Sequence, residues 1–411
     1  MISTTEMLRH QNRARVLAGL RELGPSAHTT LSEWTGLSSA SVSAITAELE
    51  DEAVLQRLEQ VASSGRGRPR VLFGPNPEFV YLATIRIATE LVEYSLVDYA
   101  GILTDRFHEA RPANEKSVKT FIKRVKAGIV RLAERNDLKV ASIQSISITT
   151  KGVVDRDAAT LRWSPVFGDQ AIDFAKQLSE VCAAPVSVHN ETAFSAQAVA
   201  RRIRREDGDA ENGRQVAVLS LGHSIGLGVA SLRSHGRIEG FAPPFGHMIN
   251  QQDGQLCRCG AFGCVEATAG FYGILRTAFD VPVDTIPARF VPLNEVDTIA
   301  TQARAGKHNA ELAFRKAGEC LGLALARLNC LLPVSEITIT GYGVRYIDLL
   351  LPKIEQQLEK TMQANLGLAP VIHIDTEETQ LVHEGNTQRT LADLDEFRVA
   401  TRQLSSVKAA G

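Results

Sequence analysis

Apolar positions in the first sixty residues recur at helical spacing, whereas those beyond residue 80 fall in short strand-like runs. Val16, Leu17, Leu20 and Leu23 share one face of a first helix, which Gly24-Pro25 stops. Thr30-x-x-Glu33 has capping-box spacing and predicts a short second helix from Thr30, burying Leu31 and Trp34 and breaking at Thr35-Gly36. Ser38 can cap a third helix, SASVSAITAELEDE, whose Val42, Ile45 and Leu49 form one stripe. The TGLS turn between these helices has the length and the glycine of a helix-turn-helix. Residues 61–78, VASSGRGRPRVLFGPNPE, predict a wing or a hinge.

From Tyr81 onward, YLATIRIA, VEYSLVDYAG, SIQSISITT, PVSVHN, QVAVLSLG and EITITG alternate with helical stretches, the pattern of α/β layers. The strand-rich halves near 80–155 and 215–240 are candidates for two related lobes. The tail after about residue 375 is polar, with a closing helix expected around 388–404 and a frayed end. At 411 residues two or three domains are expected. The 44% hydrophobic and 22% charged content is that of a globular protein with ample core. No apolar run approaches the roughly 18 residues of a membrane span, and the first residues lack the order of a secretory signal. The expected compartment is the cytoplasm, with no membrane partner.

Because the net charge is −2, a nucleic-acid surface has to be local. On the third helix Ala40, Ser43, Ala44 and Ala47 lie opposite the core stripe, with Ser39 nearby. The candidate DNA-facing residues there are Ser39, Ala40, Ser41, Ser43 and Ala44. Such small residues admit a helix deep into the major groove but offer few hydrogen bonds to base edges, so DNA shape would carry part of the specificity. The competing reading is a helical protein-docking domain. Eight arginines balance eight acidic residues in residues 1–75, yet the arginines cluster at 9–21 and 66–70. Arg66, Arg68 and Arg70 in the segment GRGRPR suit a narrow minor groove or phosphates. A lone basic run is otherwise a solvated loop.

His247, Cys257, Cys259 and Cys264 supply one imidazole and three thiols within a short glycine-rich stretch. That set makes a closed tetrahedral Zn2+ site, one per chain, structural because no position is left for a catalytic water. Gly254, Gly260 and Gly263 would let the backbone turn around it. Cys182, Cys320 and Cys330 are isolated and expected in the core.

The segments QNRARVLAGLRELG, LSEWTGLSSASVS, SSGRGRPR, VEYSLVDYAG, GHSIGLG, GHM followed by CRCGAFGCVE, and ITGYG carry a family likeness. The chain resembles ROK proteins, the group of repressors, uncharacterised frames and sugar kinases, and in particular its repressors. The resemblance implies an actin-like, two-lobed α/β body of ribonuclease H-like topology behind a winged helix-turn-helix. It also implies a homodimer or tetramer facing a palindromic double-stranded operator. The expected divisions are 1–75 for the head, 79–195 with a C-terminal helix at about 375–405 for one lobe, and 196–370 for the other.

ROK kinases hold ATP phosphates on an Asp-x-Gly-Gly-Thr turn, whose counterpart here is Arg86-Ile87-Ala88-Thr89-Glu90. Both glycines are replaced, and Glu90 is expected where a polyphosphate would lie, so kinase activity is not expected. Gly222-His223-Ser224-Ile225-Gly226-Leu227-Gly228 keeps the glycines of the second phosphate turn, which fold alone can require. The resemblance makes Asn190, Glu191, His247 and Glu266 the candidate contacts for a small sugar or sugar-phosphate effector. Glu191 stands where the kinases have their aspartate base. Pro244, Lys151 and Val166 replace three further family residues at that site. The functional expectation is an effector- or partner-controlled transcriptional regulator of sugar genes and no enzyme. The alternative is a sugar kinase with an accessory DNA-binding head.

Overall fold

The computed structural model describes residues 4–59, 71–112, 117–155, 157, 159–207, 213–232, 238–288 and 290–401. The head is built from α1 (Thr4–Leu23), α2 (His28–Thr35), α3 (Ser39–Asp51), β1 (Leu55–Glu59) and β2 (Val71–Pro75). Val16, Leu17, Leu20, Leu31, Val42, Ile45 and Leu49 are buried, as the helical spacing predicts, whereas Leu23 at the end of α1 is exposed and Trp34 only half-buried. Ser38 caps α3 by accepting from the Ser41 N–H at 3.1 Å. No such cap starts α2, which begins at His28 after Ala27, two residues before the expected Thr30. There the ring of His28 stacks on Phe73 at 4.6 Å and meets the Thr46 hydroxyl at 2.8 Å, so tertiary contacts override the capping box. β1 and β2 pair antiparallel, Leu55 opposite Pro75 and Glu59 opposite Val71, as the two arms of a wing.

The body repeats one five-stranded topology. Its first sheet uses β3 (Tyr81–Ile87), β4 (Leu91–Asp98), β5 (Leu103–Ala110), β6 (Ile143–Thr150) and, after three short strands, β10 (Val186–Asn190). Those short strands, β7 (Val153–Asp155), β8 (Thr160–Trp163) and β9 (Ile172–Asp173), form a separate sheet. The order of the first sheet is β10-β6-β3-β4-β5, with β10, β6 and β3 parallel and β4 and β5 antiparallel. Two helices, α4 (Val118–Glu134) and α5 (Phe174–Leu178), cover its apolar face. Next, α6 (Glu191–Asp207) leads to β11 (Gln215–Ser220), β12 (Gly226–Ser231), β13 (Gly240–Phe241), β14 (Glu336–Thr340) and β15 (Val371–Ile374). These are ordered β13-β12-β11-β14-β15, again with the first and the last two strands of the unit in parallel. The two expected lobes are therefore related by topology, and the architecture is α/β.

One face of the second sheet is covered by α7 (Val265–Ala269), α8 (Phe271–Ala278), α9 (Leu293–Arg304), α10 (His308–Leu331) and α11 (Ile347–Leu358); α12 (Met362–Asn365) precedes β15. Its other face packs on α6, with Ala196, Val199 and Ala200 against Val216, Val218 and Ala230. The closing helix, α13 (Glu378–Leu394), starts ten residues before the expected 388 and ends in a π-helical turn over Asp395–Val399. Its apolar residues Leu391 and Leu394 enter the head's own core beside Val16, Leu20, Phe79 and Tyr99. The head and the first lobe thus share one core. Cys182 and Cys320 are buried as expected, but Cys330 is exposed near the end of α10.

Candidate functional site

The ends of β3, β6 and β11 and the starts of α6 and α13 converge on one cleft. Register places Arg86 near the end of β3 opposite Thr149 of β6. From there its guanidinium reaches Glu191 Oε2 at 3.0 Å, Thr379 Oγ1 at 2.9 Å and Glu378 Oε2 at 3.3 Å. Lys151, just past β6, stands 3.4 Å from Glu191 and 3.3 Å from the Ser220 hydroxyl, which itself hydrogen-bonds Glu378. Two cations and two carboxylates thus neutralise one another in a largely buried cluster. Burial pushes the Glu191 carboxyl up, but Arg86 and Lys151 outweigh it and hold the group below the usual carboxylate range. Burial likewise opposes the charge of Lys151, and Glu378 and Glu191 more than restore it.

This cluster corrects the expectation for residues 86–90. Glu90 is exposed on the β3–β4 turn, where its carbonyl accepts from the Arg111 N–H at 2.7 Å. Arg86 is the residue that fills the inner cleft. Sequence reasoning missed it because its partners lie more than a hundred residues away along the chain. The Arg111 guanidinium closes the turn further by donating to the Ala88 carbonyl at 3.3 Å. In the second glycine turn, a Cβ on Gly228 would come 1.9 Å from the Thr192 carbonyl oxygen. Close packing of β12 on α6 is thus reason enough for that glycine.

Beside the cluster lies a cavity of about 280 Å3, lined by Trp163, Asn190, Phe241, Pro244, His247 and Glu266 among others. Asn190, His247 and Glu266 are therefore brought together, while Glu191 faces Arg86 and is not part of the lining. Asn190 is committed to the fold: its amide donates to the Gly152 carbonyl at 2.8 Å, and its oxygen accepts from Thr192. Glu266 is buried, accepts from the Ile225 N–H at 3.2 Å, and leaves Oε1 without a hydrogen bond among the described residues. Burial raises its carboxyl above the ordinary value, with Arg258 and His247 opposing. Ser224 also lines the cavity, and its buried hydroxyl has no hydrogen-bond partner among the described residues. Pro244 faces the cavity, whereas Val166 packs against the first lobe's core.

His247, Cys257, Cys259 and Cys264 bring their ligand atoms within 4.8 Å of one another. Cys257 Sγ lies 3.5 Å from His247 Nδ1, and Cys259 Sγ lies 3.7 Å from Cys264 Sγ. Tetrahedral zinc–thiolate bonds of about 2.3 Å place sulfurs roughly 3.8 Å apart, so the donors suit such an ion. A hydrogen bond from Cys264, and then those from His247 and Tyr272, draw the Cys257 thiol down to about 3. The loop is shaped by bridges between Ile249 and Cys264 and between Leu256 and Phe262. Gly263, at φ +75°, sits where a Cβ would lie 1.6 Å from the Gln251 carbonyl oxygen. The ring of His247 also stands edge-on to Trp163 at 4.8 Å, tying this loop to the cavity wall.

In the head, Ser39, Ala40, Ser43 and Ala44 are exposed on α3, while Ser41 is half-buried with its hydroxyl 2.9 Å from that of Ser38. Arg66, Arg68 and Arg70 lie outside the described residues. In the other arginine cluster Arg13 and Arg21 are turned inward, Arg13 to Glu48 and Glu52 and Arg21 to Asp395, while Arg9, paired with Glu48, and Arg15 are exposed.

A sequence model of the ROK family matches residues 85–385. The DNA-binding transcriptional dual regulator NagC of Escherichia coli (strain K12) is 24% identical over 375 residues, 89% of each chain. A solved ROK family transcriptional regulator, described as a homolog of the E. coli MLC protein, superposes with a TM-score of 0.73 at 21% identity. That match covers 96% of this chain and 100% of the other. The ROK hexokinase from Thermus thermophilus superposes with a TM-score of 0.56 at 20% identity, over 77% of this chain and all of its own. At these identities the superpositions establish the two-lobed, actin-like fold, shared by a regulator and a kinase.

Proposed function

The chain belongs to the ROK family, and on that premise we propose that it is a sequence-specific DNA-binding regulator of transcription, a repressor of sugar-metabolism genes. The observation that carries this reading is α3, capped by Ser38, bare of large side chains outward, and followed by a β-hairpin wing. Ser39, Ala40, Ser43 and Ala44 would enter the major groove, with Ser41 at the rim and Arg66, Arg68 and Arg70 tracking the minor groove or the phosphates. Support comes also from the regulator relative, whose similarity spans head and body alike. A homodimer or tetramer would present two heads to a palindromic double-stranded operator.

The body acts as a sensor without kinase activity. Arg86 and its partners fill the inner cleft, and Glu191, the counterpart of the kinase base, is consumed by ion pairs. A small sugar or sugar phosphate is the effector that suits the neighbouring cavity, with Trp163 as a stacking face and Glu266 and Ser224 as polar residues of its wall. His247, Cys257, Cys259 and Cys264 would hold one structural Zn2+ that fixes this wall. DNase footprinting on the chain's own upstream region tests the proposal. A protected palindrome is expected. Uniform cleavage, together with ADP release on a hexose or amino sugar, would instead establish a kinase with an accessory head.

A further inference from the structure

Two helices touch both the cleft and the head. The first residues of α6 and α13, Glu191 and Glu378, are gripped by the single guanidinium of Arg86. Near their other ends, Arg204 of α6 pairs with Glu22 of α1 at 2.6 Å, and Asp395, just past α13, pairs with Arg21 at 2.7 Å. Tyr99 donates its hydroxyl to Asp395 at 2.5 Å, and the Arg13 guanidinium donates to the Val399 carbonyl at 3.3 Å. Leu391, Leu394 and Val399 then lie inside the head's core. The helices meet where Gly385 packs so tightly that a Cβ would come 2.1 Å from the Phe194 carbonyl oxygen, so neither moves alone at that point. A helix of 17 residues spans about 25 Å at 1.5 Å per residue.

The surface beneath α13 is unlike the rest of the core. Thr84, Arg86, Ser147 and Thr149 share one face of the first sheet by register, and Arg86 reaches α13 from that face. Ile85, Ile146 and Ile148 point the other way, into the apolar core. Asn386, Thr387 and Thr390 of α13 are buried as well. Among the described residues, the hydroxyls of Ser147, Thr149 and Thr387 are buried without a hydrogen-bond partner. Interlocked apolar side chains resist sliding. Buried hydroxyls without partners instead cost free energy where they stand.

We propose that α13, braced by α6, carries the state of the cleft to the DNA-reading head by shifting over this polar face, with Arg86 as its grip. A ligand that closes the cleft on one arrangement of Glu191 and Glu378 would bias the helix, and with it Arg21, Arg13 and the head's core. Only differential affinity for the two arrangements can drive the shift. The proposal rests on the regulator reading, but its test needs neither DNA nor effector.

Hydrogen exchange on the full chain with Arg86→Met is that test. Amides of α13 and of α1 around residues 13–21 are expected to speed up roughly tenfold more than those of α10 and β14. Thr379→Val, which removes one hydrogen bond of the grip, should produce the same pattern more weakly and covers the case in which Arg86→Met fails to fold. Arg131→Ala, which breaks an exposed pair with Glu109, should leave the head as it was. Faster exchange confined to the cleft, or spread evenly through α10 and β14, overturns the proposal. Failure of the wild-type chain to bind its upstream DNA would sink the regulator reading instead.

Discussion

Replacing Glu191 by alanine removes one of two carboxylates from a buried cluster that holds two cations. The residue is 0% exposed, and its oxygens lie 3.0 Å from Arg86 and 3.4 Å from Lys151. Taking one partner from a buried pair leaves an uncompensated charge and costs about 3–5 kcal/mol. Against a total stability of roughly 5–15 kcal/mol for a domain, Glu191→Ala should shift the urea midpoint strongly. Arg86→Met combined with Glu191→Met leaves Lys151 facing Glu378, still neutral, and should recover most of the loss. The sign with pH follows from the lowered carboxyl. Its stabilisation is complete above the unfolded value of about 4.3 and disappears as pH falls through the lower folded value. The wild type should therefore lose more stability than Glu191→Ala does on acidification from about pH 4.3 down to that folded value. A single variant within about 1 kcal/mol of wild type, well below the cost of breaking a buried pair, would show that the cluster is solvated and refute the reasoning.

Other consequences are local. Cys257→Ala should abolish binding of one Zn2+ per chain in native mass spectrometry and lower the melting temperature, because structural zinc energy is folding energy. Leu49→Ala, at a fully buried position of α3, should cost about 2–5 kcal/mol in the head and weaken DNA binding while circular dichroism of the body persists. A sugar effector should change the fluorescence of Trp163, which lines the cavity, and Trp163→Leu should weaken its binding. Arg66→Ala and Arg68→Ala should weaken DNA binding most on A·T-rich flanks, read by affinity on matched duplexes.

Much of this architecture was legible in the residue pattern, wherever a face is cleanly apolar. The stripe Val42, Ile45 and Leu49 marked α3, and the runs at β3, β4, β6, β10, β11 and β14 marked the sheets. β5 escaped because it is an edge strand with a polar sequence, LTDRFHEA, and little burial. β12 escaped because its glycines, required by the approach of α6, imitate a turn. The start of α13 was misplaced because the helix buries Glu378, Asn386, Thr387 and Thr390 against a polar sheet face, which blurs its apolar stripe. The candidate metal tetrad was visible since its four residues share one short stretch of chain. Arg86 was not, because only the fold brings it to Glu191 and Glu378.

Reading of DNA sequence by the head is the property on which the rest depends. Its most direct measurement is the affinity of the full chain for a duplex from its own upstream region against a shuffled duplex of equal length, across a salt series. Preference of at least about 10³-fold near physiological salt, with affinity falling linearly on a log–log plot as salt rises, is the predicted result. Equal affinity for both duplexes, or no binding to either, would contradict it.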